Sequence, residues 1–381
     1  MNGAAAGRRL LVISNGHGED WISAAMIRAL PPGWSIEAYP MVGAGTAYAD
    51  ICPIVGPRAQ MPSEGWRNVK GSWRRDLAGG ALGTIPPALS FLRKVRERYD
   101  RVMVVGDMVG VIAACLTGYR GLHYVDVYKT GAARLYSSAE IFVIQRACAR
   151  VFCRAESLAG KLREKGVVAT APGNVMMDTI PYGEYDAAAR RERARAVTLL
   201  PGSRQLTAES FTLQIEALRA LPDELLPDIF VAIAGGVDIE VLARAARLGR
   251  TAILSGDAAD LGELTDGRLR VRMARGKALG NLIAASDLVM SQAGTATVQA
   301  IGLGRPAITF INPRDRRSRF SDEQALFGSA RMVVESDIAA VSGALRRLLE
   351  DDAEREELAA IGRQRIGGPG ALAEIVRAVA G

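Results

Sequence analysis

Short apolar runs alternate with glycine-rich turns and amphipathic stretches along the whole chain. Residues 10–14 (LLVIS) form a continuous apolar run, as a strand buried on both faces requires. A turn at 15–20 (NGHGED) and a helix over 21–30 follow, halted by Pro31 and Pro32. Further strands are predicted at 36–39, 102–105, 122–125 and 151–153, with helices at 109–117, 141–149 and 156–165. A second cycle predicts strands at 197–200, 229–234, 252–254, 269–273, 288–291 and 307–310, and helices at 205–220, 239–248, 278–285 and 295–302. Three helices close the chain near 338–349, 353–362 and 370–380. Alternating strands and helices predict parallel sheets with right-handed crossovers. Two such cycles predict two Rossmann-like domains joined within 178–195, a polar stretch holding Pro181 and Gly183.

Composition narrows the class. The 381 residues are 49% hydrophobic and 23% charged, with a mean hydropathy of +0.09, which excludes a disordered chain. No run approaches the ~20 apolar residues of a membrane span; the longest, 104–117, is broken by Asp107 and two glycines. The apolar stretch after Arg8 and Arg9 is too short for a signal peptide. Cys52, Cys115, Cys148 and Cys153 form no CxxC pair, and only His17 and His123 could join them. That argues against a zinc or disulfide framework and fits a reducing cytoplasm. The expected location is cytoplasmic, at most peripheral on the inner face of the cytoplasmic membrane.

Charge adds a partner. The formal charge is +7, compatible with nucleic acid, an anionic membrane or phosphate-bearing ligands. Residues 1–190 hold 23 Lys and Arg against 16 Asp and Glu, whereas 191–381 hold 25 of each. Within the first half, Arg58, Arg67, Lys70, Arg74 and Arg75 cluster beside Trp66 and Trp73, opposed by Glu64. Tryptophan between basic residues suits an anionic lipid interface. No nucleic-acid motif accompanies it.

Four turns carry candidate chemistry. His17, Glu19 and Asp20 lie in the first βα turn, where ligands bind in parallel-sheet folds; Asp20 could instead cap the predicted helix. Asp107 follows the strand VMVV, either as a helix cap or as a general base. Gly202, Ser203 and Arg204 end the strand LLPGSR, placing an arginine where an anion would meet a helix N-terminus. Gly294, Thr295, Ala296 and Thr297 open the helix after DLVMS, where outward N–H groups and the macrodipole favour a diphosphate.

The segments GHGED, PGNVMMD (172–178), LLPGSR (199–204) and SQAGTATVQAIGLGRPAITF (291–310) together resemble the lipid-A-disaccharide synthase family, in order and spacing, over most of the chain. The resemblance is to a related branch. GHGED replaces the family's early motif, Gln299 stands where Glu is usual, and 315–324 (DRRSRFSDEQ) departs from the lipid A enzymes. It implies an α/β GT-B fold of two Rossmann-like parallel-sheet domains facing a cleft. The acceptor domain would be 1–185, the nucleotide-sugar domain 186–365, and 366–381 a helix crossing back to the first. It also implies an inverting, metal-independent glycosyltransferase using a nucleotide sugar, usually UDP-linked, as co-substrate with no other cofactor. Gln299 would meet the ribose, Gln324 the donor sugar, and Asp107 or His17 would deprotonate a lipid or membrane-associated acceptor. The rivals are a nucleotide-sugar 2-epimerase of the same fold, a non-catalytic nucleotide-sugar-binding protein, and a nicotinamide oxidoreductase.

Overall fold

The structure is a computed structural model, and it describes residues 7–58, 81–129, 131, 135–202, 206–251, 256–311 and 324–381. The chain divides into two compact units, Met1–Thr179 with Gly367–Gly381, and Ile180–Ile366.

The first unit runs β1 (Arg8–Ser14), α1 (His17–Ala29), β2 (Trp34–Pro40), α2 (Ile85–Val95), β3 (Arg101–Gly106), α3 (Met108–Leu116) and β4 (Leu122–Asp126). It continues through α4 (Ser138–Ala147), β5 (Cys148–Cys153), α5 (Glu156–Arg163), β6 (Ala169–Thr170) and α6 (Val175–Asp178). Its six strands are all parallel, in the order β2-β1-β3-β4-β5-β6. Leu10 to Ile13 and the whole of β4 are buried, which is why these strands read as unbroken apolar runs rather than alternating ones.

The second unit runs β7 (Ala196–Leu200), α7 (Thr207–Arg219), β8 (Asp228–Ile233), α8 (Ile239–Ala245), β9 (Gly249–Arg250), β10 (Asp260–Thr265) and β11 (Arg270–Arg275). Then come α9 (Leu279–Ala284), β12 (Leu288–Ser291), α10 (Thr295–Gly302), β13 (Ala307–Ile311), β14 (Arg331–Glu335), α11 (Ile338–Glu350) and α12 (Asp352–Ile366). The sheet order is β14-β13-β12-β7-β8-β11-β10-β9. The last helix, α13 (Ala371–Ala380), belongs to the first unit and packs on α1 and α6.

Four expectations are corrected. Helix α1 begins at His17 rather than residue 21, so only Asn15 and Gly16 remain as turn; Glu19 and Asp20 lie in its first turn, where the macrodipole favours acids. Asp20 is therefore not the cap. Helix α2, unread in the sequence, carries Pro86 and Pro87 in its first turn, at N2 and N3, where the N–H groups have no intrahelical acceptor and their absence costs little. The second sheet is not wholly parallel: β10 pairs antiparallel with both β11 and β9. The connection from β10 to β11 is too short for a crossover, and Asp266 closes it by accepting from the Arg268 and Leu269 N–H groups at 3.1 and 2.8 Å. The strand expected at 252–254 lies outside the described residues. Lastly, the polar stretch 178–195 is no loose connector. Tyr185 and Ala187 are buried against Phe230 and Leu282, and Glu192 meets buried Arg272 at 2.6 Å. Arg272 also meets Asp228 at 2.8 Å, whose other oxygen accepts from the N–H groups of Glu192 and Arg193.

Candidate functional site

In the first unit β1 lies between β2 and β3, so the chain leaves β1 towards one side and β3 towards the other. The carboxyl ends of β1 and β3 flank this reversal, where open parallel sheets bind ligands. Ser14 pairs with Val105, so the two following turns emerge side by side. Asn15 Nδ2 donates to Asp107 Oδ1 at 3.0 Å, and the same oxygen accepts from Val109 N at 2.9 Å, capping α3. Gly106 adopts φ +128°, a conformation other residues rarely take, and a side chain there would come within 3.1 Å of Glu19 Cγ. Asn15, Glu19, Gly106 and Asp107 thus meet at one point. His17 stands at the start of α1; its side chain lies outside what the structure describes.

Two buried polar groups support these turns, one around Asp20, already a candidate from its place in the first turn, and one around Asp126, which the sequence reading did not single out. Asp20, 2% exposed, accepts from Ser14 Oγ at 2.5 Å, and Ser14 Oγ lies 2.6 Å from the Tyr48 hydroxyl. Burial lifts the Asp20 carboxyl to about 7; the Ser14 bond opposes the shift and neighbouring Glu19 adds to it. Behind Gly106, the Tyr124 hydroxyl donates to the Gly106 carbonyl at 3.1 Å. Tyr136 lies 3.2 Å from Tyr124 and donates to Asp126, which also accepts from the Tyr128 and Lys129 N–H groups at 2.7 and 2.9 Å. Burial raises the Asp126 carboxyl above its ordinary range, against these hydrogen bonds and nearby Arg154. The signal was present: Tyr124 and Asp126 are two apart on a strand, hence on one face, and a carboxylate ends an apolar run there just as it does at Asp107.

The second unit repeats the plan. Here β7 lies between β8 and β12, and the chain reverses direction at β7. Ser291 pairs with Leu200, and Gln292 N donates to Leu200 O at 2.8 Å. Gly202 adopts φ +98°, a conformation that favours glycine, and faces Gln292 O, which a Cβ there would meet at an ordinary 3.7 Å. Gly294 precedes α10 without a side-chain cap, while Thr295 and Ala296 are half-buried in its first turn. The first N–H groups of such a helix have no intrahelical acceptor. Thr297 is occupied differently. Its hydroxyl donates to Ala293 O at 2.5 Å and lies 2.6 Å from Ser291 Oγ, which in turn accepts from Ala293 N at 3.2 Å. This closed ring, 3% exposed at Thr297, fixes the turn rather than offering a donor outward. Gln299 is buried one turn further on. Gln324 spends its amide on its own surroundings, donating to Gly328 O at 2.6 Å and Arg331 O at 3.1 Å and accepting from Arg331 Nε at 3.3 Å. Ser203, Arg204 and the cluster Trp66, Arg67, Lys70, Trp73, Arg74 and Arg75 lie outside the described residues.

The motif at 172–178 serves the last helix. Asp178 accepts from Gly370 N at 2.7 Å and Leu372 N at 3.1 Å, and Asn174 N donates to Gly368 O at 3.0 Å. Among the described residues no helix is long and apolar enough to cross a membrane.

No family model and no curated protein matches the sequence. Solved structures match nearly its whole length. The glycosyltransferase SnogD from Streptomyces nogalater is 20% identical with a TM-score of 0.56, covering 98% of this chain and 100% of its own. A UDP-N-acetylglucosamine 2-epimerase is 13% identical with a TM-score of 0.57, covering 97% and 94%. The spinosyn rhamnosyltransferase SpnG, solved with thymidine diphosphate, is 15% identical with a TM-score of 0.56, covering 98% and 100%. The fold is that of GT-B glycosyltransferases and UDP-sugar epimerases: two α/β units, one wholly and one mostly parallel.

Proposed function

We propose that this protein is a glycosyltransferase that moves a sugar from a nucleoside diphosphate, UDP by preference, to a lipid or membrane-associated acceptor, with inversion and without a metal. The observation that carries the reading is that Gly202 lies against Gln292, in the turn that leads to the uncapped start of α10, at the reversal point of the second sheet. There the donor diphosphate docks on the N–H groups of Gly294, Thr295 and Ala296, assisted by Ser203 and Arg204, whereas the Thr297 N–H is spent on Gly294 O at 3.1 Å. The acceptor hydroxyl meets the Asn15–Asp107 corner of the first unit. Asp107 or His17 takes its proton, the acceptor oxygen bonds to the anomeric carbon, and the bond from that carbon to the phosphate oxygen breaks. The nucleoside diphosphate leaves with the electron pair. Charge grows on the leaving phosphate, and preset N–H dipoles stabilise it more in the transition state than in the ground state.

The structural likeness to a 2-epimerase supports a second reading, in which the donor sugar is inverted at C2 and no acceptor is used. Incubation with UDP-sugars, followed by NMR with and without lipid acceptors, separates the two. Free UDP formed only when acceptor is present supports transfer. A second UDP-sugar formed from the donor alone supports epimerisation. Donor binding by calorimetry with neither product supports the non-catalytic reading.

A further inference from the structure

We infer that the outer face of α2, α3 and α4 in the first unit is a docking surface for an anionic lipid bilayer. These three helices connect strands taken in one direction across the sheet, from β2 to β3, β4 and β5, so right-handed crossovers place them on the same side. Helix α3 packs on both α2 and α4. Its sequence, MVGVIAACL, holds no charged residue, although a helix covering only one side of a sheet needs a polar outer stripe. Val109, Ile112 and Leu116 recur at helical spacing on one face and are 43%, 37% and 66% exposed. Phe142 on α4 is 63% exposed and Ile85 on α2 is 49% exposed. Scattered exposed apolar residues need no explanation, but this set follows one helix and its two neighbours.

Charge selects the occupant. Helix α2 carries no carboxylate and ends in exposed Arg93 and Lys94; α4 ends in exposed Arg146. The one acid on α4, Glu140, is held by Lys129 at 2.9 Å and by the Ser137 capping box. Leu116, the most exposed of the apolar set, ends α3, as the basic residues end α2 and α4. An apolar face that inserts at the acyl boundary, with cations at one end to meet lipid phosphates, is the arrangement of an interfacial protein. None of its residues belongs to the 58–75 basic cluster. It shares with the proposed function only the idea of a membrane-associated acceptor.

The test is sedimentation of the full chain with vesicles of phosphatidylcholine alone or with about a third phosphatidylglycerol. Binding to the anionic vesicles only is expected, falling about tenfold or more in the triple variant Ile112→Ser, Leu116→Ser, Phe142→Ser. Far-UV circular dichroism of that variant should match the wild type, and Leu116→Ser alone, with a smaller loss, serves if the triple variant does not fold. Unchanged vesicle binding in both variants overturns the proposal. So does a wild-type dimer that becomes monomeric in the triple variant without any vesicle binding, which would assign the face to a second copy of the chain. Loss of vesicle binding by variants of a protein that transfers sugar only to soluble acceptors keeps this surface and removes the lipid-acceptor reading.

Discussion

Asn15 and Asp107, ninety-two positions apart, share a hydrogen bond of 3.0 Å because β1 and β3 are neighbours in the sheet. One carboxylate oxygen thereby holds two jobs, joining the two turns and capping α3. Substitutions at Asp107 should separate fold from chemistry. Asp107→Asn keeps an oxygen for the cap and should unfold within ~0.5 kcal/mol of the wild type; Asp107→Ala should cost ~1 kcal/mol. Both should lose about 10²-fold or more in turnover if this carboxylate is the base, with donor affinity by calorimetry retained. Full activity in Asp107→Asn would leave His17 as the remaining candidate.

Asp178 fastens the last helix to α6 through two backbone N–H groups. Replacing it with alanine should destabilise the first unit by ~1–2 kcal/mol. Hydrogen exchange should quicken first in 371–380, and the donor-binding response should stay intact. Equal quickening in both units would show that Asp178 acts globally instead.

Asp20 and His123 should tilt the stability of the first unit in opposite directions with pH. The folded Asp20 carboxyl titrates near 7, above its ordinary 3.8, so its contribution is full below 3.8 and is lost as pH rises through 7. Burial, with Arg101 and Arg150 adding to it, lowers His123 from 6.5 to about 4; its contribution is full above 6.5 and is lost as pH falls through 4. Urea unfolding across pH 4 to 7 should therefore show Asp20→Asn gaining on the wild type as pH rises. His123→Phe should gain as pH falls. Parallel curves for wild type and variants would refute the linkage.

Thr297 closes the ring that shapes the turn before α10. Thr297→Val removes a buried hydroxyl and leaves Ser291 Oγ short of a partner, at a cost of ~1–3 kcal/mol. UDP affinity should weaken because the turn loosens. Thr295→Ala, at the half-buried first position, should weaken UDP binding with little change in unfolding. Equal UDP affinity in both variants, measured by calorimetry, would place the diphosphate elsewhere.

The strand–turn–helix rhythm was legible because both sheets are parallel in their centres and covered by helices. Their strands are therefore buried throughout, as at 10–14 and 288–291, and stand out as apolar runs. Edges were less legible. β10 (DLGELT) holds no apolar run and β9 is only two residues long, and α2 hides behind Pro86 and Pro87, which read as breakers until their place in the first turn is known.

The candidate site divides along the same line. Local spacing alone marked Asp107, Gly202 and Gly294 to Thr297, since each follows an apolar strand and opens a helix. Partnership was invisible to it. That Asp107 meets Asn15, that Thr297 turns inward to Ala293, and that Gln324 is consumed by Gly328 and Arg331 are contacts set by strand order and turn closure. The sequence by itself determined where chain direction changes and which side chains stand there, because those depend on neighbours a few residues apart. The tertiary structure decided which of those side chains remain for a ligand, because hydrogen-bonding capacity is spent on whatever the sheet brings alongside.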